Sequence, residues 1–203
     1  MSKHLYKPHP WHGVSPGENC PDLVTAYIEI VPGDSVKYEI DKVSGYLKVD
    51  RPQKFSNQVP ALYGFIPKTF CGEEIAKYAS EKCSSKVTKG DGDPLDICVI
   101  TEKTINNGDI LVEAIPIGGF RMIDKGEADD KIIAVLKQDE IYGHLKDISE
   151  CPEAIVNRLK HYFLTYKNLP GSVQPVEIAS VYGAKEAKEI ISKSIIDYKN
   201  SFE

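Results

Sequence analysis

The 203 residues are enough for one compact domain with extensions, and 41% hydrophobic with 27% charged residues place the chain among globular proteins, away from disordered or fibrous ones. A formal net charge of -5 withholds the positive field with which binders of nucleic acid or anionic membranes attract phosphate. No stretch approaches the ~18 consecutive apolar residues of a membrane span, and the start MSKHLYKPHPWHG lacks the apolar core of a secretory leader, so a cytoplasmic location is expected.

Residues 1–22 hold four prolines and little periodicity, and are read as an arm without regular structure preceding a single domain at 23–203. His4, His9 and His12 cluster there, but the proline-rich setting favours an arm packed on the surface over a metal site. LVTAYIEI (23–30), VKYEI (36–40) and YLKVDR (46–51) are strand-like, and the turn residues between them suggest an antiparallel meander. Residues 71–90 are small, polar and charged, and read as a mobile insertion in a surface loop. Strand patterns resume at LDICVIT (95–101), DILVEAIPIGGF (109–120) and KIIAVL (131–136).

Two amphipathic helices follow. In PEAIVNRLKHYFLTYKN, Ile155, Leu159, Tyr162, Phe163 and Tyr166 recur at helical spacing, with Pro152 in the first turn and Ser149 as the cap. From Ala184 to about Tyr198 the apolar face is Ala187, Ile190, Ile191, Ile195 and Tyr198. The five cysteines are odd in number, widely spaced and without a CxxC pair, which argues for reduced thiols rather than a disulfide framework or a zinc knuckle.

The chemistry concentrates in KGDGDPLDICVI, where Asp91, Asp93 and Asp96 fall within six residues. Crowded carboxylates repel one another unless they are solvated or share cations, and hard oxygen donors suit magnesium, manganese or calcium better than zinc. Taken alone, the motif is equally a solvated Asp/Gly/Pro turn. A calcium EF-hand loop is excluded, because Asp96 stands where the sharp turn needs glycine. A DxDxT phosphatase motif is excluded too, because the apolar strand follows the acids instead of preceding them.

A second acid segment, Asp124, Glu127, Asp129, Asp130 and Lys131, lies at the junction of two strands. Two acid segments that each abut a strand can converge at one end of a barrel and surround several cations. Lys37 and Glu39, two apart on a strand, project from one face and can present a cation and a metal ligand together. Arg51 ends the next strand, and Tyr166 with Lys167 ends a helix.

DGDPLD, together with IEI, KYEID, VDR, LYGFIP, the spacing of Asp124, Asp129 and Lys131, and the YK at 166–167, resembles soluble family I inorganic pyrophosphatase over roughly residues 23–198. The resemblance implies an α+β, mainly β fold: a five-stranded OB-like barrel flanked by two C-terminal helices. It implies hydrolysis of pyrophosphate to two phosphates by metal-activated water in direct in-line attack, with several magnesium ions per site and manganese as a substitute. Asp91, Asp96, Asp124, Asp129 and Glu39 would be the metal ligands, Asp93 the general base and Glu29 a supporting carboxylate. Lys37, Arg51, Tyr63, Lys131, Tyr166 and Lys167 would bind the two phosphoryl groups, with Lys37, Arg51 and Tyr166 also serving catalysis. A homo-oligomer, hexamer or dimer, is implied, with no nucleic acid or membrane as partner.

Overall fold

A strand buried on both faces must sit inside a covered sheet, and the first strand of this chain, with six of its seven residues buried, is of that kind. The structure, a computed structural model, describes residues 7–84, 87–167, 169, 171 and 176–203. Its strands in chain order are β1 (Val24–Ile30), β2 (Val36–Ile40), β3 (Leu47–Pro52), β4 (Leu62–Phe65), β5 (Lys89–Gly90), β6 (Asp96–Ile100), β7 (Ile110–Asp124), β8 (Glu127–Ala128), β9 (Lys131–Leu136) and β10 (Val176–Gly183). Its helices are α1 (Glu73–Lys82), α2 (Glu153–Thr165) and α3 (Ala184–Phe202).

Five strands close into the OB-like barrel: β1 pairs with β4, β4 with β6, β6 with β9, β9 with β7, and β7 with β1 again. Closure leaves these five without a free edge. The β6–β9 ladder alone in this ring is parallel, and it sets Asp96 opposite Lys131. Successive residues of one strand serve different cores, as a two-residue period requires. Ile97 and Ile132 pack with Ile75 of α1 and with Ile190 and Ile191 of α3, whereas Cys98 and Ile133 pack with Leu159 and Phe163 of α2. Gly64 marks where two barrel strands meet most closely, since a Cβ there would stand 1.9 Å from the Tyr27 carbonyl oxygen.

The expected meander forms only in part. β2 and β3 make a separate antiparallel hairpin, while β1 takes β4 and β7 as its ladder partners. The reason is burial: β1 is apolar on both faces and enters the barrel, whereas the hairpin carries half-exposed charges. β4, β10 and the two-residue strands β5 and β8 lie outside the predicted strands, and the barrel's C-terminal flank includes β10 as well as α2 and α3.

Residues 73–82 are not a loop. They form α1, with Ile75, Tyr78 and Ala79 buried at helical spacing and Glu73 and Glu74 in the first turn, where acids suit the helix dipole. Its N-terminus is capped from afar: the buried Asp197 of α3 accepts from the amides of Gly72 (2.9 Å), Glu74 (2.9 Å) and Ile75 (3.1 Å). The helix α2 begins after Pro152 and has no side-chain cap. Ser149 belongs instead to a short 3-10 turn, Ile148–Glu150, capped by Asp147.

Among residues 7–22 there are turns but no helix or strand, and Trp11, 3% exposed, pins this segment to the body. Its ring packs against His12, Phe70, Tyr198 and Phe202, and its indole N–H donates to the Thr69 carbonyl at 2.8 Å. His4 lies outside the described residues. The Thr69 hydroxyl accepts from the Leu95 amide at 2.9 Å, so the arm braces the segment that bears the first acid cluster. Trp11→Ala is expected to destabilise the protein by about 3–5 kcal/mol, read as a lowered urea midpoint at unchanged m.

Candidate active site

The first acid segment is held by backbone before its side chains do anything. Cys71 N–H donates to the Asp93 carbonyl at 2.9 Å, Gly92 N–H to the Cys71 carbonyl at 3.1 Å, and Ile66 N–H to the Leu95 carbonyl at 3.0 Å. Gly92 takes φ +77°, the left-handed turn that glycine adopts without strain. The turn directs Asp91 toward the second acid segment and lets Asp96 enter β6 beside Tyr63 of β4.

Lys131 Nζ, almost fully buried, bonds to both Asp96 and Asp129. The Tyr63 hydroxyl donates to Asp96 Oδ2 at 2.6 Å. Asp91 stands close enough to Asp129, Lys131 and Asp96 to feel the charge of each, so the first acid segment faces the second around this ammonium. At the edge of this group Lys167 Nζ donates to Asp124 Oδ2 at 2.9 Å, while Asp124 Oδ1 is buried with no hydrogen-bond partner.

Burial and like charge shape the ionisation here. Burial first, then Asp129 and Asp96, pushes the Asp91 carboxyl up to about 9. Burial raises Asp129 as well. Burial works against the charge of Lys131, but Asp129 and Asp96 outweigh it and hold the ammonium well above the usual lysine range. The Tyr63 phenol is driven up by burial and by Asp96.

The hairpin supplies the opposite wall. Lys37 Nζ donates to Glu39 Oε2 at 2.9 Å and to Asp50 Oδ2 at 3.0 Å, so Lys37 and Glu39 share a face as the strand period demands. These two carboxylates overcome burial and raise the Lys37 pKa. Glu29 of β1, nearly buried, accepts from the Ile40 amide at 2.7 Å, and burial lifts its carboxyl to about 8, so it is mostly protonated at neutral pH. A cavity of about 90 Å³ is lined by Glu29, Lys37, Glu39, Lys42, Tyr63, Asp93 and Asp96. A larger cavity of about 280 Å³ lies at the other end of β6, between Ile100, Thr101, Lys103 and Arg158, and touches neither acid segment.

Asp93 is half exposed and pairs with Lys42, a residue that the sequence reading missed although it directly follows the KYEID segment. Arg51, a third exposed, is paired across its own strand end with Asp50, with Nε 3.8 Å from Oδ2. Tyr166 stacks on Tyr162 with ring centres 5.1 Å apart, and Lys167 Nζ lies 5.2 Å from the Tyr166 ring centre. The arrangement thus brings Asp96, Asp129, Lys131 and Tyr63 into direct contact, with Asp91 close enough to act on them by charge. Asp124 with Lys167, and Lys37 with Glu39, stand as separate pairs.

Among the described residues no three histidine, cysteine or acidic side chains meet at one coordination point, because Lys131 draws Asp96 and Asp129 onto itself. The donor set nevertheless suits hard dications. It is all oxygen, it carries more acid groups than one ammonium balances, and Asp124 Oδ1 is a buried acceptor without a donor.

A model of the inorganic pyrophosphatase family matches residues 26–199. An inorganic pyrophosphatase of Chlamydia trachomatis serovar L2 is 52% identical over 199 residues, covering 96% of this chain and 95% of its own. Soluble inorganic pyrophosphatase 2 of Chlamydomonas reinhardtii is 37% identical over 194 residues, covering 96% of this chain and 90% of its own. The crystal structure of inorganic pyrophosphatase from Thermus thermophilus matches with a TM-score of 0.78 at 30% identity, covering 94% of this chain and 99% of that one.

Proposed function

The chain belongs to the inorganic pyrophosphatase family and hydrolyses pyrophosphate to two phosphates, and from that premise we propose that a water attacks one phosphorus in line, with Asp93 as the base that takes its proton. The observation that carries this reading is the convergence of two acid segments, far apart in sequence, on the single ammonium of Lys131.

Members of this family are metal-dependent, and magnesium, with manganese as a substitute, is the ion that fits the oxygen donors of Asp91, Asp96, Asp124, Asp129 and Glu39. When bound, such ions lower the pKa of a coordinated water from 15.7 towards about 7 and offset charge on the phosphoryl oxygens. The remaining work falls to the chain itself. Lys37, Arg51, Lys131 and Lys167 place fixed positive charge around the two phosphoryl groups, which otherwise repel an attacking oxygen. Tyr63 and Tyr166 add hydroxyl donors for those oxygens. Asp93, in the cavity next to Lys37 and Glu39, presents a carboxylate to the incoming water, and Lys42 holds that carboxylate in place until substrate arrives. Glu29 supports the hairpin through its bond from the Ile40 amide.

Residues 23–203 act in this reading as one catalytic domain, with residues 1–22 as a docked extension. No helix among the described residues is long and apolar enough to cross a membrane, and a cytoplasmic homo-oligomer, hexamer or dimer, is the proposed working form. The stereochemical course tests the chemistry. A single in-line displacement inverts configuration at a chiral, isotopically labelled thiophosphoryl group of a pyrophosphate analogue. Net retention would require a covalent phosphoenzyme and would overturn the proposal.

A further inference from the structure

One buried charge cluster lies outside the chemistry described so far. Arg121 of β7 is 0% exposed, an unusual setting for a guanidinium. Its Nε is 3.4 Å from Asp130 Oδ1, and its Nη1 is 3.1 Å from Glu186 Oε1 of α3. Its Cζ lies 5.2 Å from the ring centre of Tyr78 in α1 and 5.4 Å from that of Tyr182 in β10. The cluster is held by charge and stacking, since Nε, Nη1 and Nη2 have no acceptor in hydrogen-bonding geometry. Such burial adds little to stability compared with an apolar substitute, and its best-attested use is to specify one arrangement.

The arrangement specified is that of the second acid segment. Asp129 and Asp130 fall between β8 and β9, outside any strand ladder, and the Asp129 backbone is tied by its N–H to the Met122 carbonyl at 2.9 Å. In extended chain neighbouring side chains point to opposite sides. Asp129 and Lys131 accordingly meet Asp96 in the site, while Asp130 points away toward Arg121. We propose that Arg121, clamped between the rings of Tyr78 and Tyr182, is a positioning residue that grips Asp130 and thereby sets Asp129 for its dication. The inserted helix α1 thus acts on the metal centre through Tyr78 without touching it. This inference rests on the reading of Asp129 as a metal ligand.

Manganese titration of the full chain by calorimetry, without substrate, tests it. On charge alone, removing the arginine's positive charge near a dication site tightens binding. Loss of positioning has the opposite sign. Arg121→Met is therefore expected to raise the Kd of the tightest manganese about tenfold. Tyr78→Leu, which changes no formal charge, is expected to raise it about threefold, and circular dichroism shows that each variant is folded. Equal or tighter binding in folded Arg121→Met overturns the inference. If Arg121→Met does not fold, an unchanged Kd in Tyr78→Leu overturns it instead. Asp129→Asn separates the two levels. A wild-type Kd in Asp129→Asn sinks the ligand assignment and the inference with it. Loss of the site in Asp129→Asn with wild-type Kd in the other two variants sinks the inference alone.

Discussion

Asp93→Asn is expected to lower kcat about 10³-fold, within the range of 10²–10⁴ that a positioned general base contributes, while manganese binding changes by less than about twofold. The substitution keeps the size and shape of the side chain. It leaves intact the Asp93 N–H bond to Asp91 Oδ1 at 3.0 Å and the Cys71 N–H bond to the Asp93 carbonyl, so the turn that aims Asp91 and Asp96 survives. What is lost is a carboxylate that can take a proton. Asp93 differs from its neighbours in being half exposed and free of the Lys131 cluster, which makes it the acid best placed to meet water. Steady-state phosphate release with calorimetry on the same variant checks both halves. Unchanged turnover would move the base elsewhere, and lost metal binding would make Asp93 a ligand.

Excess chelator is expected to abolish phosphate release, and restored magnesium to return it. The metal-free protein should also carry a distinctive stability profile. Asp91 is held up to about 9 and Glu29 to about 8 in the fold, while both return to the ordinary carboxylate range near 4 when unfolded. Between those limits the folded state binds more protons than the unfolded one, so stability falls as pH rises. The contribution of these two groups is fully present below about pH 4 and is lost by about pH 9. Bound dications reverse the trend, because they favour the ionised form of Asp91 and displace its proton. Urea denaturation from pH 6 to 9 with and without magnesium reads this directly: the chelated protein should weaken with pH, and the gap between the two curves should widen. Hydrolysis that survives chelation, or a chelated protein that gains stability toward pH 9, would count against a carboxylate site built for cations.

The hairpin shows how far local pattern reaches. VKYEI and KIIAVL predict strands at 36–40 and 131–136, the observed bounds of β2 and β9, because apolar alternation in the first and a β-branched apolar run in the second are signals carried within a few residues. The same locality put Lys37 and Glu39 on one face. The α1 miss has the converse cause. Ile75, Tyr78 and Ala79 carry a helical repeat, but the surrounding small and charged residues look like a loop until Asp197, some 120 positions later, caps the first turn. Lys42 and Arg121 were missed for a related reason: a single basic residue acquires a role only from the acid that the fold brings to it.

By itself the order of residues determined the strand and helix periods, the two acid segments, the hard-oxygen character of the donors and the resemblance those motifs carry, since each depends on neighbours along the chain. Tertiary structure alone decided that β1 closes the barrel with β4 and β7, that Lys131 sits between Asp96 and Asp129, and that Arg121 grips Asp130 beneath Tyr78. It also decided which carboxyls hold their protons near neutrality, because desolvation and like-charge repulsion arise only when distant segments exclude water from a common space.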